Sequence, residues 1–128
     1  MVDPKVVREW LDKADEDFGF AAAVLEDTTY YAQVCFHFQQ AAEKYLKSAI
    51  IAKELEFVKR HDLVFLLDIC QQGYPSLKSL LPDCKYLNGF YIETRYPVHW
   101  TGAFTKDDAL KAREAAERVK TAVRSSLA

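Results

Sequence analysis

Apolar residues recur along this chain at helical intervals. Val7, Trp10, Leu11, Ala14, Phe18, Ala21 and Leu25 follow one another at steps of three, one, three, four, three and four. At 3.6 residues per turn these positions share one stripe, so the spacing predicts an amphipathic helix of about six turns. Asp3 and Pro4 supply its N-cap and first helical position. Asp27-Thr28-Thr29 closes it and caps a second helix, expected from Tyr30 to Leu55, whose stripe is Tyr31, Val34, Cys35, Phe38, Ala41, Ala42, Tyr45, Ala49 and Ala52. The alanines invite close approach by a neighbouring helix. Gln39, Gln40, Glu43, Lys44 and Lys47 form a polar face, with Gln40–Lys44 and Glu43–Lys47 at i,i+4 spacing. It reads as a solvated face or as a polar strip near a phosphate.

His61-Asp62 then opens a short third helix carrying Leu63, Leu66, Leu67 and Cys70, stopped by Gly73 and Pro75. Asp62 there complements the helix dipole, and His61 can cap it. Leu77, Leu80 and Leu81 form a turn interrupted by Pro82, and Asp83 to about Glu93 predicts a fourth helix. Thr105 with Asp108 three residues on resembles a capping box, after which Ala109, Ala112, Ala116, Val119 and Val123 mark a last helix ending in Arg124. No strand alternation competes with these patterns. The expected fold class is all-α, a four- to five-helix up-and-down bundle, with residues 1–128 as a single helical domain.

Composition narrows the chemistry. A net charge of −2 and a pI near 5.9 argue against gripping nucleic acid by bulk electrostatics, while leaving local basic patches open. No apolar run reaches membrane-spanning length and no signal-peptide pattern opens the chain, so a cytoplasmic protein without membrane attachment is expected. Cys35, Cys70 and Cys84 lie apart within apolar stripes and read as reduced core thiols. Paired zinc-ligand spacings, Glu-x-x-His and glycine-rich phosphate loops are all missing from the sequence, so no metal and no cofactor is expected.

The densest chemistry lies in Tyr91-Ile-Glu-Thr-Arg-Tyr-Pro-Val-His-Trp100. Arg95 cannot lose its charge and His99 can, a usable pair for binding or cutting a phosphodiester. Tyr91 and Tyr96 could stack a base or close one end of the core.

Several stretches resemble the HEPN family (higher eukaryotes and prokaryotes nucleotide-binding domain), in its Arg-Tyr-Pro subgroup. They are Trp10-Leu-x-x-Ala14-x-x-Asp17-Phe18, Phe38-Gln-Gln-Ala-Ala-Glu-Lys-Tyr-Leu-Lys47, His61-Asp-Leu63 and Thr94-Arg-Tyr-Pro97, in the family's order and over nearly the whole chain. The resemblance implies a helical bundle, commonly a homodimer. It offers binding of a nucleotide or RNA phosphate, with Arg95, Tyr96, Tyr91, Gln40, Lys44 and Lys47 as ligand-binding residues. It also offers the role of helical partner to a separate minimal nucleotidyltransferase in a toxin–antitoxin pair. The alternative is a metal-independent ribonuclease toxin with Arg95 and His99 as catalytic residues. Ribonuclease members place four to six residues between that Arg and His, whereas Tyr96-Pro-Val98 places three here. Binding is therefore the first reading and catalysis by this pair the second. The apolar Trp10/Phe18 and Phe36/Phe38 rows suit a helix-mediated dimer.

Overall fold

The computed structural model describes residues 2–93 and 104–128. Among them the chain forms α1 (Pro4–Val24), α2 (Tyr31–Ala52), α3 (Leu63–Gly73), a 3-10 helix (Pro75–Leu80), α4 (Leu81–Asn88), α5 (Phe90–Glu93) and α6 (Lys106–Leu127), with no strand among these residues. The expected all-α bundle is what forms.

Helix α2 is its axis, contacting α1, α3, α4, α5 and α6. From Val34 onward, residues on every side of it are buried, including Phe38, Tyr45, Leu46 and Ile50. Helix α1 runs antiparallel to it: Phe20 meets His37, Asp17 reaches Lys44, and Trp10 lies beside Lys47. Helix α6 runs antiparallel to α1, with Lys106 at Glu26 and Arg124 at Asp15. Buried alanines on α2 and α6 (Ala41, Ala42 and Ala49; Ala109, Ala112, Ala115 and Ala116) allow the close approach their spacing suggested. Arg118 of α6 grips Asp83 of α4 through two guanidinium nitrogens, Nε at 3.0 Å and Nη2 at 2.8 Å.

The expected caps form at α1 and α6, and at α3 the cap is Asp62 rather than His61. Asp3 accepts from the Lys5 amide, Asp62 from those of Val64 and Phe65, and Thr105 with Asp108 forms a reciprocal capping box. Four expectations need correction. Helix α2 ends at Ala52 rather than Leu55, because Glu54 takes a left-handed conformation at φ 52°. The Leu55 amide then bonds Ile50 O and the Glu54 amide bonds Ile51 O, the paired closure of a Schellman motif. Thr28 accepts from the Tyr30 amide, yet no side chain caps α2 itself. The expected fourth helix begins at Leu81, with Pro82 tolerated in its first turn, and is divided by Gly89 into α4 and α5. Finally, Phe18 packs edge-on to Phe38, which is fully buried, so half of the aromatic rows belongs to this chain's own core.

The segment between α2 and α3 sets up the site. Residues 53–62 return along α2, placing Phe57 beside Trp10 and Lys47, and His61 beside Glu43. Helix α3 can then run in the same direction as α2, with Cys70 Sγ donating to Leu46 O and Gly73 lying against Lys53.

Candidate functional site

The polar face of α2 is largely covered, with Gln40 and Lys44 half-buried and its other three residues buried. Gln39, Glu43 and Lys47 are buried at 0%, 4% and 6% exposure. A buried charge needs a partner, and Glu43 and Lys47 supply each other's. Lys47 Nζ donates to Glu43 Oε2 at 3.0 Å and lies 6.0 Å from the Trp10 ring centre and 5.7 Å from that of Phe57. Gln40 donates to Gln39 Oε1, and Gln39 in turn donates to the His61 carbonyl. Lys44 pairs with Asp17, whose other oxygen accepts from His37 Nδ1 at 3.0 Å. The charges of Lys44 and Lys47 are thus already engaged within the chain.

Glu43 Oε1 accepts from His61 Nδ1 at 2.9 Å. This corrects the expectation that His61 caps α3: Asp62 is the cap, and the His61 ring turns toward α2. The backbone around it is clamped. Asn88 of α4 accepts from the Leu63 amide at 2.8 Å and donates to Asp62 Oδ1 at 3.1 Å. Tyr91 of α5 stacks on the imidazole with ring centres 4.3 Å apart and planes 15° from parallel. Phe36 flanks Tyr91 at 6.3 Å. Because a carboxylate can only accept, the neutral imidazole carries its hydrogen on Nδ1 and leaves Nε2 as the basic nitrogen.

This arrangement borders a cleft of about 440 Å³ lined by Lys59, Arg60, His61, Asp62, Asn88 and Tyr91. The Arg60 guanidinium carbon lies over the Phe65 ring, 3.9 Å from its centre, with Nη2 also 3.9 Å from Asp62 Oδ2. The site therefore offers two cationic side chains, one imidazole and one stacked aromatic, a combination suited to a phosphate attached to something flat. A larger groove of about 580 Å³ on α1 is lined by Glu9, Trp10, Asp12, Lys13 and Lys44. Its two acidic residues make it less suited to an anion.

Of the sequence-expected site residues, Tyr91 lines this cleft and Gln40 joins its support through Gln39. Arg95, Tyr96 and His99 lie outside the described residues. Sequence reasoning missed His61 and Glu43 as partners because they are 18 residues apart on separate elements. The His-Asp-Leu and Gln-Gln-Ala-Ala-Glu-Lys runs were each visible, but not their meeting. No group of three or more potential metal ligands, and no helix long and apolar enough to cross a membrane, occurs among the described residues.

Comparison with known proteins agrees with this architecture. The HEPN domain family model matches residues 7–126. The protein named "Putative toxin MJ1304" of Methanocaldococcus jannaschii is 26% identical over 137 aligned positions, covering 96% of this chain and 89% of that one. The crystal structure of TT1696 from Thermus thermophilus superposes with a TM-score of 0.85 at 30% identity, covering 94% of this chain and 98% of that one. That of ST0689, described as an archaeal HEPN homologue, gives 0.77 at 28% identity, covering 95% and 98%. Matched along almost its whole length in both sequence and fold, the chain belongs to the HEPN family.

Proposed function

We propose that this HEPN-domain protein binds the phosphate of a nucleotide or of RNA in the cleft bordered by residues 59–62, Asn88 and Tyr91. The observation that carries this reading is the gathering of Lys59, Arg60 and His61 at one cleft in a chain of net charge −2. A local basic patch supplies attraction that the overall charge does not. Arg95 and Tyr96, which follow Tyr91 by four and five positions, are the proposed additional ligands for phosphate and base. Titration calorimetry with ATP, GTP and a short single-stranded RNA at low salt tests this. Heat of binding that falls with added salt and with Arg60→Ala is expected; no heat with any of the three rejects it.

The likeness to a protein named as a toxin favours a second reading, a metal-independent ribonuclease toxin in which Arg95 and His99 act on RNA. Its signature is growth arrest on expression alone, relieved by Arg95→Ala or His99→Ala. Harmless wild type with intact RNA removes it. In either reading the proposed assembly is a homodimer, and the proposed protein partner is a separate minimal nucleotidyltransferase. Sedimentation and co-purification with a neighbouring nucleotidyltransferase gene product test these.

A further inference from the structure

We infer that His61 is a general base for cleavage of an RNA phosphodiester and that Glu43 is its positioning residue. This rests on the RNA-phosphate reading above. An imidazole that serves only packing has no need of an exposed ring held in one tautomer. Here the side chain is 47% exposed, while Glu43, which orients it, is 5% exposed. The ring is held at its edge by Glu43 and on its face by Tyr91. Its backbone is held by Gln39 on the His61 carbonyl and by the Asp62–Asn88 clamp on the next residues. Among the described residues Nε2 has no partner.

The charge balance points the same way. Glu43 already has a cation in Lys47, whose ammonium is enclosed by Trp10 and Phe57. The carboxylate does not need His61 to be charged. It needs only the Nδ1 hydrogen, and that leaves the Nε2 lone pair directed away from Glu43 and available to take a proton. A carboxylate that orients a base at one nitrogen and frees the other is the arrangement general-base catalysis requires.

The step follows. His61 Nε2 takes the ribose 2′-OH proton, the 2′ oxygen bonds to phosphorus, and the bond from phosphorus to the 5′ oxygen breaks. The leaving 5′ oxygen takes a proton from solvent water, and the resulting hydroxide takes the proton from His61. The products are a 2′,3′-cyclic phosphate and a 5′-OH. Lys59 and Arg60 border the same cleft and would oppose the negative charge gathering on the phosphate.

The test uses the full chain and a short end-labelled RNA, beside the same strand with 2′-deoxyribose throughout. Binding is read by anisotropy and cleavage on a gel. Expected are binding of both strands, cleavage of RNA alone, and for His61→Gln a loss of roughly 100- to 10,000-fold in cleavage rate at saturating RNA, far larger than the accompanying loss of RNA affinity. Imidazole nitrogen NMR of the wild type is expected to show His61 with its hydrogen on Nδ1, a signature that mere packing would not require. An Nε2–H tautomer overturns the inference. So does bound but uncleaved RNA, or cleavage undiminished in His61→Gln and abolished in His99→Ala; in both cases the phosphate-binding reading stands. Failure of wild type to bind RNA removes both for that ligand.

Discussion

The imidazole of His61 and the phenol of Tyr91 lie face to face, 4.3 Å between centres and 15° from parallel. The contact joins the start of α3 to α5, the helix from which the chain enters residues 94–103. Tyr91→Ala is expected to lower stability by about 1 kcal/mol, the worth of an aromatic pair. It should also weaken phosphate-ligand binding by freeing the His61 ring. Urea denaturation and anisotropy with a labelled nucleotide measure the two effects separately.

Glu43 and Lys47 test how far charge can be buried here. Glu43→Ala strands an ammonium that is 6% exposed and is expected to cost about 3–5 kcal/mol. Replacing both with apolar residues (Glu43→Leu with Lys47→Met) should recover most of that loss, because no unpaired charge remains. It should not recover ligand binding, because His61 loses its orienting carboxylate. A double-mutant cycle from chemical denaturation checks the stability part.

Glu54 holds a conformation that glycine adopts without strain. Since the Schellman hydrogen bonds are already made there, Glu54→Gly relieves backbone strain without breaking them. It is expected to stabilise the fold by about 0.5–1 kcal/mol, offset in part by a more flexible unfolded chain. Thermal unfolding should show the melting temperature rising; a fall would show that the Glu54 side chain contributes more than its backbone costs.

Asp62 carries the α3 cap and one side of the Asn88 clamp. Asp62→Ala should cost about 1–2 kcal/mol, with amide exchange accelerated first at Val64 and Phe65. Thr105→Ala, which removes a more exposed cap, should cost about 1 kcal/mol and leave the cleft unaffected.

Burial pushes the thiols of Cys35, Cys70 and Cys84 up from an ordinary value of 9.0 to about 12. Burial likewise raises the Tyr86 phenol to about 12. A raised folded-state value means the native state holds its proton more tightly than the unfolded chain. The stability so gained is complete below about pH 9 and is lost as pH rises toward 12. Each thiol should contribute a decline of up to about 1.4 kcal/mol per pH unit in that window. Denaturation midpoints between pH 8 and 11 measure this. Native protein at pH 8 should also resist a thiol reagent that modifies all three cysteines in urea.

Local chemistry was legible in the sequence where the cause lay within a few residues. Asp3-Pro4 and the Thr105–Asp108 box each satisfy amides a turn away, so their residue types announce them, whereas at α3 the cap proved to be Asp62 and not the expected His61. Helical periodicity likewise named α1, α2, α3 and α6, because burying one stripe of a helix forces the 3.6-residue recurrence. The polar face of α2 misled for the same reason. Sequence periodicity separates polar from apolar positions, but it does not show whether another segment will cover the polar ones.

Here the return of residues 53–62 covers them, laying Phe57 over Lys47 and bringing His61 to Glu43. That path depends on the left-handed turn at Glu54 and on contacts with Trp10 far away in the chain. By itself, then, the sequence determined an all-α bundle, the caps of α1 and α6 and its family likeness, because these follow from short-range spacing. Only the tertiary structure decided that Glu43, His61 and Tyr91 form one cluster. Long-range packing brought them together, and a buried carboxylate held the imidazole in place.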